Sequence, residues 1–259
     1  MSAPVFTMAL RLRWPTIALT MLGMGSVILM VGALFPAVGG SIGKLDLPEG
    51  VADLLGGADY GTITGWMRSE IGAVYGPLVI AAIAITGAVG STAGEEERGI
   101  LGLTLAYPIA RSRLVLAKAA AVAVSVAAVA LGTFAGLVAG VATAGGGIAV
   151  GNLAALALHL AFFGFAFGAL ALALAATTGR SSVASGGAAA FGVLAFLVNG
   201  FAPLVGGIGW LKYLSPFHYC SGHDPIANGI DVSDLAVLGA AAVVLTAIAV
   251  VGITRRDLR

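Results

Sequence analysis

Six apolar stretches, at about 15–38, 73–93, 114–142, 153–178, 183–206 and 234–253, fill most of this 259-residue chain. Each approaches the ~20 residues needed to cross a hydrocarbon core ~30 Å thick. In lipid every backbone N–H and C=O has to be bonded within the structure, which leaves helices or a closed barrel. Barrel strands alternate lipid-facing and lumen-facing residues over about 10 positions, whereas Leu153 to Ala176 is apolar all round. The expected fold is an all-α integral membrane protein with six transmembrane helices in a single domain. Only 10% of the residues are charged and 59% are hydrophobic, with 39 glycines besides. Soluble domains carry about 25% charged residues, so the mean hydropathy of +1.04 cannot come from one anchor on a soluble body.

The distribution of basic residues sets the expected orientation. With the N-terminus in the cytoplasm, Arg11, Arg13, Arg98, Arg111, Arg113, Lys118, Arg180, Arg255, Arg256 and Arg259 fall inside, and only Lys44, Arg68 and Lys212 fall outside. Both termini are therefore expected to be cytoplasmic. Arg11 and Arg13 ahead of an apolar run mimic a signal peptide, but Ile17 to Val38 exceeds an h-region of roughly 7–15 residues and reads as the first span.

Three connections are long enough to carry structure. The first external loop, 39–72, contains Leu47 to Leu55, a proline-started amphipathic segment suited to the membrane interface. The second, 207–233, places Trp210, Tyr213, Phe217 and Tyr219 at headgroup depth. The third, 94–113, is cytoplasmic. It begins with Glu95, Glu96 and Glu97 and ends with Pro108, Arg111, Ser112 and Arg113. Acids at a helix start and a proline at its end describe a short amphipathic helix on the inner membrane face. The other reading of 94–113 is a solvated loop whose charges set topology.

Several function classes are excluded or disfavoured. No Gly-x-x-x-x-Gly-Lys-[Ser/Thr] occurs, and the stretch from Gly39 to Lys44 has the wrong spacing and is followed by Leu45. Any ATP is therefore hydrolysed by another subunit. The middles of the spans lack Asp, Glu, Lys and Arg, which disfavours a proton-driven carrier. A formal charge of +1 gives no reason to expect a nucleic-acid partner.

The remaining candidates are few. His159 and Asn199 can face a substrate path or bond to a neighbouring helix. His218, Cys220 and His223, with Asp224 beside them, are the one cluster with ligand chemistry for copper or zinc, and otherwise read as an ordinary turn near the headgroups. Gly132, Gly136 and Gly140, and Gly164 with Gly168, form Gly-x-x-x-Gly steps that allow close helix approach, expected within the chain. Ser185 with Gly186 and Gly187, opposite His159, is the nearest approach to an intramembrane serine protease, but the two belong to opposite ends of their spans. A non-catalytic membrane scaffold is a further alternative.

The order of motifs resembles one family. An acidic triplet, Arg98-Gly99, a leucine-rich turn, Pro108, then Arg111-Ser112-Arg113 and Lys118 resemble the loop between the second and third spans of ABC-2 type permeases. Leu214-Ser215-Pro216-Phe217 and the ending Thr254-Arg255-Arg256-Asp257-Leu258 resemble that family's closing segment. Ile100 stands where a threonine is usual, which bears on the choice of ATPase. The resemblance implies the fold of type V exporters and the permease subunit of an ATP-driven exporter in the bacterial cytoplasmic (inner) membrane. It implies a separate ABC ATPase subunit that binds ATP and Mg, no cofactor in this chain, and a second permease copy or paralogue. Glu95, Glu96, Glu97, Arg98, Gly99, Pro108, Arg111 and Arg113 would then couple the ATPase to the helices. The cargo would be hydrophobic or amphipathic: a drug, an antibiotic or a lipid-like molecule.

Overall fold

The computed structural model describes residues 3–42, 61–105, 109–205 and 207–256, all helix and connection with no strand among them. Six elements are long and apolar enough to cross a membrane. They are built on α1 (Ala3–Ile42), α2 (Gly76–Gly90), α3 (Arg111–Thr143), α4 (Val150–Thr178), α5 (Ser181–Phe201) and α6 (Val232–Arg255). The amphipathic segment expected at Leu47 to Leu55, and Pro108, lie outside the described residues.

Two helices begin earlier than hydropathy alone suggests. α1 continues back through Arg11 and Arg13 to Ala3, because long basic side chains are good helix formers. Pro15 and Pro36 sit inside it, as membrane helices tolerate. The second span starts at Ile63, runs through a π-helical stretch, Arg68–Tyr75, and only then becomes α2. Proline explains the wide turn. Pro77 has no N–H to give to the carbonyl four residues back, and the Gly76 N–H reaches Ile71, five residues back. Arg68 and Glu70, expected in an external loop, are therefore on this helix.

α1 packs on α3 backbone to backbone. A Cβ added at Gly136 would stand 2.8 Å from the Gly25 Cα, and one at Gly140 would stand 2.7 Å from the Ile28 carbonyl oxygen. The Gly132 position faces Met21. Lipid tails are as apolar as side chains, so such close van der Waals contact is what holds two helices together. The second step works likewise: Gly164 lies against Ile80 and Val126, and Gly168 against Val122 and Ala84.

α4 is the centre of the bundle, with α2, α3, α5 and α6 around it, and Leu153, Leu156, Leu160, Phe163, Phe167 and Leu172 buried along its length. A short helix, Pro216–Ser221, drops Phe217 into this core. Its ring centroid is 4.9 Å from that of Phe163 and 5.4 Å from that of Phe196. Phe217 is thus an anchor in the bundle rather than a headgroup residue, whereas Trp210 and Tyr213 are exposed as expected. Ser215 fixes the entry angle. Its buried hydroxyl donates to the Ala195 carbonyl at 2.8 Å and accepts from the Phe217 N–H at 3.2 Å.

The connections 91–105, 109–110 and 179–180 meet the end of α6 at one end of the bundle. Arg13 of α1 joins them lower on α2, donating to the Ile83 carbonyl at 3.3 Å. The segments 61–70, 144–149, 202–205 and 207–231 form the opposite end.

Candidate coupling site at the charged end of the bundle

α2 closes on its own hydroxyls. Ser91 Oγ donates to the Gly87 carbonyl and Thr92 Oγ1 to that of Ala88, both at 2.7 Å. The next turn, Ala93–Glu97, carries the three glutamates. Successive residues of a helix point about 100° apart, so three in a row cannot share a face. Each finds a different helix.

Glu95 lies 2.7 Å from Lys118 of α3. That ammonium, 2% exposed, also donates to the Ser91 carbonyl. A buried lysine is tolerable only with its charge paired and its donors used. Glu96, itself buried, is bonded to Arg256 just beyond α6. Glu97 accepts from the Ser181 N–H at 2.8 Å and from the Ser181 hydroxyl at 2.7 Å. A carboxylate there also faces the positive end of α5. Arg111 completes the ring, its Nη1 donating to the carbonyls of Ile253 at 3.3 Å and Arg256 at 2.8 Å.

The glutamates expected to couple an ATPase subunit to the helices are bonded within the chain, the first two of them turned inward. The outward face of the segment is made by Arg98, Gly99, Ile100 and Gly102. Arg98 donates back to the carbonyls of Gly94 at 2.8 Å and Gly90 at 3.2 Å. Gly99, at φ +73°, bends the chain into a second short helix, Ile100–Leu105, so the segment is two short helices and not one. Arg113 is exposed. Sequence reasoning did not single out Arg256 or Ser181, whose roles depend on contacts spanning 160 and 84 residues. The signals available were a basic residue just past the last span and a serine just past the Gly179 turn.

At the opposite end the candidate metal ligands are not assembled. Cys220 is fully buried, and burial pushes its thiol pKa well up. His218 stands edge-on to Tyr213 and Tyr219, at 4.9 and 5.2 Å between centroids. Desolvation, then the nearby Lys212, lowers its pKa. His223 Nδ1 is 3.5 Å from Asp231. The Ser233 hydroxyl and the Asp234 N–H hold the Asp231 carboxyl below its ordinary value. Asp224 is bound by Arg68 at 2.7 Å. Among the described residues no group of three such side chains is arranged to hold a metal.

His159 is fully buried in α4, with Nδ1 2.8 Å from the Ala155 carbonyl and Nε2 unpartnered among the described residues. Asn199 is half-buried on α5. Ser185 bonds to the Ser181 carbonyl at 2.7 Å, at the end of the bundle away from His159, so the two do not form a catalytic pair.

Apolar cavities open between the described helices, among them these two. One, of about 430 Å³, lies between α2 with its preceding turn and α5, beside Phe167 and Phe217. The other, of about 660 Å³, lies between α3, α4 and α6. Neither is lined by His159 or Asn199.

A helical bundle with six membrane-length elements, a charged network joining its helices at one end and apolar cavities between them is a multi-pass membrane protein of the permease class. The family described as "Multidrug efflux system permease Rv1217c, C-terminal domain" matches residues 3–253, and the chain belongs to it. That membership agrees with the resemblance of the 94–113 loop to ABC-2 type permeases and makes the chain a transport permease rather than an enzyme. No curated protein matches it.

Proposed function

We propose that this chain is the membrane half of an ATP-driven exporter, with both termini and the 94–113 segment in the cytoplasm of a bacterium. A separate ABC ATPase subunit would supply hydrolysis, with ATP and Mg bound there, and a second permease copy or paralogue would complete the assembly. The observation that carries the reading is the divergence of Glu95, Glu96 and Glu97 onto α3, α6 and α5. A push on the exposed face around Arg98 and Ile100 is delivered to four helices at once, since the same turn ends α2. Such a device suits a partner that does mechanical work from the cytoplasmic side.

The apolar cavities support a hydrophobic or amphipathic cargo, since mostly apolar walls reward apolar surface and few polar groups fix orientation. The test is purification of the tagged chain from its host in mild detergent, followed by mass spectrometry of what accompanies it. A stoichiometric protein with Walker motifs is expected. Its absence from an intact, folded preparation would refute the exporter reading and favour a scaffold.

A further inference from the structure

We propose that the groove between α3, α4 and α6 is a binding site for an anionic phospholipid, with an acyl chain in the groove and the headgroup phosphate on Arg113 and Arg255. The groove, about 660 Å³, falls in the ~300–1,000 Å³ range of small-molecule sites. Its walls include Leu116 and Ala120 of α3, Leu172 of α4, and Ala247, Val250 and Val251 of α6. These positions belong to the halves of the helices nearest the charged end, so the groove occupies one leaflet.

The charge at its mouth selects the lipid class. Arg113 lies one turn beyond Leu116 on α3, and Arg255 one turn beyond Val251 on α6, both exposed. The hydrogen bonds from Arg111 to the carbonyls of Ile253 and Arg256 hold those two helix ends side by side. The neighbouring cations are engaged: Lys118 by Glu95, Arg256 by Glu96, Arg98 by the carbonyls of Gly94 and Gly90. Arg113 and Arg255 have no ion pair or hydrogen bond among the described residues. Two guanidiniums beneath an apolar slot match the phosphate and the chain of a single lipid, and basic pockets between spans recognise such headgroups. Calling this the inner leaflet rests on the orientation proposed above, whereas the binding test below does not depend on it.

The full chain, purified in detergent, would be titrated with dioleoyl phosphatidylglycerol and with dioleoyl phosphatidylcholine, and bound lipid counted by native mass spectrometry. Preference for the anionic lipid by about thirtyfold is expected, the size two arginines near an anionic surface supply. The pair Arg113→Gln and Arg255→Gln should abolish the preference but keep weak binding of both lipids. The pair Ala120→Leu and Ala247→Leu, which fills a groove open to lipid without altering the core, should remove both. Equal binding of the two lipids by the unaltered chain, preference surviving in the arginine pair, or adducts surviving in the filled groove would each overturn the site. So would arginine variants that release an ATPase partner while their lipid preference stays intact.

Discussion

Glu96, 7% exposed, is hydrogen-bonded to Arg256, 160 positions further along the chain, and thereby ties the turn after the second span to the end of the sixth. Removing one member of a pair this enclosed leaves a charge with poor solvation, at a cost of about 3–5 kcal/mol. Glu96→Gln and Arg256→Gln should each lower the thermal midpoint of the detergent-solubilised protein. The double variant should recover much of the loss, since neither charge is then stranded. A double variant that behaves as the sum of the two singles would show that the residues act independently.

The exposed edge of the same segment should behave in the opposite way. Arg98 and Ile100 are exposed on the outward face, with Arg98 donating back to the Gly94 and Gly90 carbonyls. Ile100→Asp should change stability by no more than about 0.5 kcal/mol, as for ordinary surface changes, while weakening capture of the ATPase subunit in a pull-down. Glu96→Gln should do the reverse, lowering stability first and retaining the partner. The two variants therefore separate a docking contact from a coupling residue. Matching defects in both assays for both variants would count against that division.

Much of the fold was legible because membrane insertion acts on local sequence. Apolar length fixed the number of spans, and the Gly132, Gly136 and Gly140 steps announced a close helix pair, though not that α1 would be the partner. The early start of the second span was hidden because Arg68 and Glu70 lower the hydropathy of a segment that is nevertheless helical. The site was legible in its residues and not in its geometry. Three glutamates in a row look like one acidic patch, yet the 100° advance per residue sends them to three helices, and no local rule names Lys118, Arg256 or Ser181 as the receivers. His218, Cys220 and His223 show the same gap between spacing and geometry. Their spacing suits a metal, but a buried Cys220 belongs to packing, and Asp231 already claims His223.

The α1–α3 contact makes a sharp stability prediction. Gly136 meets the Gly25 backbone at a distance that leaves no room for a side chain, whereas nothing lies within 4 Å of Gly23, two residues away on the same helix as Gly25. Gly136→Leu forces two backbones apart, and overpacking of this kind costs about 1–3 kcal/mol. Gly23→Leu should be close to neutral or slightly stabilising, because leucine is the better helix former. Thermal unfolding of the two variants in one detergent provides the comparison. Equal effects would mean that α1 is not seated on α3 through its glycines.

Cys220 provides a test of the opposite end. Its thiol is fully buried and its pKa is raised by burial and then by the nearby Asp234, so the protonated form is favoured in the folded state. A raised acid pKa contributes stability at pH values below the ordinary thiol range, and that contribution is lost as the pH rises above it. At pH 8 the folded protein should react with a polymer-linked maleimide at least about a hundredfold more slowly than the denatured chain, since reaction needs an exposed thiolate. Added zinc should leave the rate unchanged, because among the described residues no second and third ligand lie beside this sulfur. Rapid labelling of the folded protein, or protection that appears only with metal, would restore the metal-site reading of His218, Cys220 and His223.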